Sequence, residues 1–100
     1  MNEQTMLEAL KVDLGISTTA YDARLAQFIT TARASIEREG ITLANTGTEE
    51  APLLSIEDGT LVVMYAGWIW RKRDTGEGMP RMLRWQLNNK LFSQKVADNG

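Results

Sequence analysis

Residues 61–74, LVVMYAGWIWRKRD, set ten uncharged, mostly apolar residues, among them two of the chain's three tryptophans, against three consecutive cations. Val62, Val63, Tyr65, Trp68, Ile69 and Trp70 all suit a buried strand. Three features favour a helix instead. Ser55 followed by Asp58 is a helix-start pattern immediately upstream, in which a hydroxyl accepts from the backbone N–H three residues on. The run is long for a strand, and no convincing partner strand exists elsewhere in the chain. The spacing therefore predicts a helix from about Ile56 to Arg73. Its apolar residues occupy two faces: Leu61, Met64, Tyr65 and Trp68 on one, Val62, Ala66, Ile69 and Trp70 on another. A helix apolar on more than one side must be covered on more than one side.

Working outward, EQTMLEALKVDLG predicts a short first helix, with Met6, Leu7, Leu10 and Leu14 at helical spacing and Gly15 placed to end it in the left-handed region. Thr19 and Asp22 approximate a capping box for a second helix. Tyr21, Leu25, Phe28, Ile29, Ala32 and Ile36 would form its apolar face, and Gly40 its stop. Residues 41–54, ITLANTGTEEAPLL, are aperiodic and rich in turn signals. They read as a surface loop, with room for a short extended pair around Ile41–Leu43 and Leu53–Leu54. After the polar turn DTGEGM, Pro80 suits the first position of a final helix. That helix again carries two stripes: Leu83, Leu87 and Leu91, and, roughly opposite, Met82, Trp85, Phe92 and Val96. The expected fold is all-α: one four-helix domain spanning residues 1–100, with an irregular or briefly extended connection at 41–54.

The chain's 100 residues, 43% hydrophobic and 24% charged, are ordinary for one small globular domain. It has no cysteine and no histidine, which removes disulfides, thiolate nucleophiles, the commonest general base and the commonest metal ligand together. The acidic start MNEQTMLEAL lacks the cationic region of a signal peptide. The apolar run falls far short of the roughly 20 residues that span a bilayer. A cytoplasmic-type protein without a membrane partner is the expectation. Phosphate-loop spacing is absent, and Gly76–Gly78 lacks the strand-to-helix context such loops need. Glu49–Glu50 is a single carboxylate pair in a polar segment. No catalytic residue, metal site, cofactor or enzymatic activity is expected.

Charge is uneven. Residues 1–60 carry 4 basic and 10 acidic side chains, hence −6, and residues 61–100 carry 7 and 3, hence +4. Arg71, Lys72 and Arg73, with Arg81 and Arg84 beyond the turn, are suited to phosphates, so a small helical DNA-binding or packaging accessory protein is one reading. No helix following a tight turn offers a base-reading set, however, and cations in a last helical turn also complement the helix dipole. Two helices apolar on two faces exceed what a small bundle covers internally, and large aromatics are enriched at protein–protein interfaces. An acidic half and a basic half favour a head-to-tail contact between copies, which closes into a ring. Trp68, Trp70, Arg71, Lys72, Arg73, Arg81, Trp85 and Phe92 are the residues expected at that interface.

Three blocks, LEALKVDLGISTTAYDARLAQFITTARASIEREG, LVVMYAGWIWRKR and MPRMLRWQLNNKLFSQK, resemble in order and spacing the head–tail connector proteins of tailed phages, also called head-completion or DNA-packaging proteins. The resemblance spans roughly residues 6–95, leaves out 41–54, and contains no catalytic signature. It implies a helical protomer that forms a ring beneath the portal, extends the DNA channel, helps retain the genome and receives the tail or a stopper protein. DNA would pass through without sequence-specific binding. The protein would reside in the virion, and in the bacterial host's cytoplasm during assembly. The helix at 61–73 would be the central packing element, and the final helix a dock for a neighbour or the portal.

Overall fold

The computed structural model describes residues 1–99 and contains four helices: α1 (Glu3–Leu14), α2 (Asp22–Arg38), α3 (Ile56–Thr75) and α4 (Arg81–Asn99). Among the described residues there is no strand, only an isolated antiparallel bridge between Asn2 and Leu53. The molecule is elongated and flat, with principal extents of 47 × 31 × 18 Å.

α3 is the axis of the fold and touches all three other helices. Its start is as the sequence predicts: the Ser55 hydroxyl accepts from the Asp58 N–H at 3.1 Å, and Glu57 and Asp58 lie in the first turn, at the positive end of the dipole. The helix ends at Gly76, whose φ of 66° is left-handed and whose N–H donates to the Lys72 carbonyl. Leu61, Val62, Val63, Tyr65 and Ala66 are all buried. That burial revises one expectation. Both apolar faces of α3 are covered along its middle within the protomer, where α1 and α2 both pack on it, while Met64, Trp68, Ile69 and Trp70 remain half-buried.

α1 begins at an N-cap that the sequence pattern does not flag. Asn2 Oδ1 accepts from the Thr5 N–H at 2.8 Å. Gly15 stops the helix as expected, at φ 70°, and the Ile16 N–H returns to the Lys11 carbonyl. Met6, Leu7 and Leu10 point inward. Met1 lies across Gly59 so closely that a β-carbon there would come within 2.5 Å of its sulfur. A side chain at that position of α3 would displace the N-terminus.

The expected capping box of α2 does not form. The N-cap residue is Tyr21, with no side-chain cap, while the Asp22 N–H donates to the Thr19 carbonyl. Asp22 instead pairs with Lys11 at 2.8 Å, tying α2 to α1. Leu25, Ile29, Ala32 and Ile36 are buried, Phe28 is half-buried, and Tyr21 is exposed at the edge of that face. The helix runs to Arg38, and Gly40, at φ 97°, follows its last turn.

Residues 41–54 are irregular, and their middle lies at the surface as expected, but both ends pack into the core. Ile41, Leu43, Pro52 and Leu54 are buried. The extended pair considered for this stretch forms with a different partner. Leu53 and Leu54 run beside Met1 and Asn2, not beside Ile41–Leu43: the Leu54 N–H donates to the Met1 carbonyl at 2.9 Å, and the Met1 nitrogen donates back to the Leu54 carbonyl. Asn45 holds the tip, its Oδ1 accepting from the Gly47 and Leu53 N–H groups. Thr42 is clasped by the Gln94 side chain, which both accepts from its N–H and donates to its carbonyl at 2.9 Å. That amide bridge satisfies a backbone that has no strand beside it.

Candidate assembly interface

α4 attaches to the rest of the protomer along one line. At about 100° per residue, Leu83, Leu87 and Leu91 share a side. The first two are fully buried, and Leu91 is half-buried against Gly40. Polar groups flank that line and pair with the body. The Arg84 guanidinium makes a two-point contact with Glu39 at 2.7 and 3.1 Å, which raises its pKa above the ordinary arginine value despite partial desolvation. Lys90 Nζ lies 2.8 Å from the buried carboxylate of Asp58 in the first turn of α3. Gln94 holds Thr42. These three contacts lie on the leucine side of the helix and fix which way its other side faces.

The other side faces outward with no cover. Met82, Trp85, Phe92 and Val96 are 59%, 62%, 68% and 54% exposed. Met82 to Val96 spans about 21 Å at 1.5 Å per residue. The four side chains lie along one side as two pairs, Met82 with Trp85 and Phe92 with Val96, with exposed Asn88 and Asn89 between them; large aromatics left in water like this are typical of surfaces where proteins meet. The charges beside this stripe are of one sign. Arg81 and Lys95 are exposed without an ion-pair partner among the described residues, and residues 81–97 contain no acid.

The remaining expected interface residues form a separate cluster at the C-terminal end of α3, where much of their surface is spent within the chain. Trp70 is half-buried between Tyr21 and Phe28 of α2 in edge-to-face contacts, with ring centroids 5.6 and 5.9 Å away. Trp68 stacks edge-on against Tyr65 at 5.4 Å and donates its indole N–H to the Glu77 carbonyl. The basic stop also has local partners. Arg71 lies 3.3 Å from Glu77, Lys72 Nζ 4.2 Å from the centre of the Trp68 ring, and the Arg73 guanidinium 3.7 Å from that of Trp70. Cation–π contacts at such exposed sites contribute about 0.5–1 kcal/mol each. The acidic surface expected to meet Arg71 is thus partly supplied by its own chain, through Glu77.

Sequence reasoning did not find the groove between α1, α2 and the 41–54 segment. It holds about 720 Å³ and is lined by Leu7, Ala26, Pro52 and Leu53, with Glu3 and Glu50 at its edge. These residues come from three separate stretches, and no periodic pattern links them. Among the described residues no group of three or more acidic, histidine or cysteine side chains is arranged to hold a metal ion. No helix there is long and apolar enough to cross a membrane. No family model, curated protein or solved structure matches this chain.

Proposed function

We propose that this protein is a structural protomer of a phage or prophage particle, forming a ring that joins the portal of the DNA-filled head to the tail and extends the DNA channel. The observation that carries the reading is the outward apolar stripe of α4, held by a leucine seam and three polar clasps so that it faces away from the core. The resemblance of the three helical blocks to head–tail connectors supplies the setting: portal protein on one side, tail or stopper protein on the other, within the virion. A conduit needs weak, unspecific contact with DNA, since each phosphate held adds a salt-dependent cost to release. The local partners of Arg71, Lys72 and Arg73 fit that need better than they fit the DNA-binding alternative, which wants its cations free.

Native mass measurement with negative-stain imaging tests the proposal. Closed rings with a central opening are expected from concentrated protein or from protein mixed with a portal. Steep, specific DNA binding by a persistent monomer in a salt titration would overturn it in favour of the packaging accessory.

A further inference from the structure

We infer that the α4 stripe of one copy seats in the acid-edged groove between α1, α2 and the 41–54 segment of the next. This rests on the ring reading and names the two surfaces that would make its contact. The stripe offers Trp85 and Phe92 flanked by Arg81 and Lys95, with no acid from 81 to 97. The groove offers an apolar floor of Leu7, Ala26 and Pro52, a half-exposed Leu53 at 47%, and Glu3 and Glu50 as its only charged lining residues. Neither acid has an ion-pair partner among the described residues. Each surface therefore carries an apolar centre and unpaired charges of one sign, and the signs are opposite. That is the pattern which steers two surfaces together and rejects wrong partners.

Charge also disfavours the simplest rival, in which two α4 stripes pair with each other. An antiparallel pairing would bring Arg81 of one copy beside Lys95 of the other at both ends, with no acid on either stripe to offset them. Placement on the protomer favours the groove as well. Ala26 lines the groove, whereas Glu39, at the end of the same helix, binds α4 through Arg84. The two positions lie about 140° apart around α2 at roughly 100° per residue. The groove and the docking point of α4 thus lie on different sides of α2, and a contact between stripe and groove joins two different patches, so it is heterologous and propagates from copy to copy.

The natural chain has no cysteine, so engineered ones report the contact directly. Leu53→Cys and Phe92→Cys proteins, mixed at high concentration and treated with a short bismaleimide, should give a crosslinked dimer joining one of each. The chain carrying both substitutions should give a ladder of oligomers. Crosslinking of the Phe92→Cys protein to itself, stopping at dimers, would overturn the inference in favour of stripe-to-stripe pairing, and absence of crosslinks in the mixture would overturn it outright. A second arm uses charge. Glu3→Lys with Glu50→Lys should weaken self-association by about thirtyfold or more, the scale of a lost hot spot, and mixing with an Arg81→Glu, Lys95→Glu partner should restore it. Unchanged association, or no restoration, counts against the groove. Rings without a crosslink between positions 53 and 92 would leave the ring reading standing and sink this contact. The crosslinked ladder without rings would do the reverse.

Discussion

α3 and α4 begin from the same problem and end differently. Each is close to 20 residues long and apolar on two faces. α1 and α2 both pack on α3, and both of its faces are covered along its middle. α4 rests on α3, on Glu39 at the end of α2 and on Thr42, and among the described residues one face is covered and one is not. Apolar periodicity states how many faces need cover. It does not state who supplies it; that is decided when the helices pack.

The comparison is broken most severely by placing a charge where α3 is closed on every side. Val62→Asp puts a carboxylate at a position with no solvent exposure, inside the apolar core. The buried charge is expected to cost more than the several kcal/mol that hold a small domain together. Circular dichroism should show loss of the cooperative melt, and a native-like transition would mean that α3 is not the closed axis of the fold.

Next in size is the covered seam of α4. Leu87→Ala removes a fully buried side chain and should destabilise the protomer by about 2–5 kcal/mol, read from urea denaturation of dilute protein. A loss below about 1 kcal/mol would mean that α4 docks chiefly through Arg84, Lys90 and Gln94, with the leucines secondary.

The smallest expected effect on folding is the most informative. Trp85→Ala with Phe92→Ala deletes far more apolar surface than Leu87→Ala, yet both side chains are mostly in water. Exposed substitutions usually stay within about 0.5 kcal/mol, so dilute protein should melt as the parent does. At high concentration, sedimentation should show assembly reduced by a factor that corresponds to roughly 2 kcal/mol or more. A double variant that unfolds as a monomer would make both residues core and erase the distinction between the two helices.

How much of this was legible beforehand follows from how local each cause is. Four helices, the Ser55 cap, the Gly15 stop and the opposed stripes of α4 all follow from spacing of a few residues along one chain segment, where backbone hydrogen bonding and side-chain direction are set. The Thr19–Asp22 box did not form, and the Asp22 side chain has a non-local partner instead, Lys11 across the α1–α2 contact. The interface set divides along the same line. Trp85 and Phe92 were identifiable from periodicity as one stripe opposite the leucines, and the packed protomer shows that this stripe is the outward one. Trp68 and Trp70 were not separable from it, because their partners Tyr21, Phe28 and Glu77 are brought to them by folding.

Helix identity, all-α class and the asymmetry of charge between the halves were therefore set by the chain's local pattern. Three things required the packed molecule. The two ends of the aperiodic 41–54 segment proved to pack inward, through Ile41, Leu43, Pro52 and Leu54, while Leu53 bridges to Asn2. Both faces of α3 were closed along its middle. An acid-edged groove was assembled from Glu3, Ala26 and Glu50, residues that are neighbours only after folding. The physical reason is common to all three: burial is a property of pairs of surfaces, and a sequence pattern describes one surface at a time.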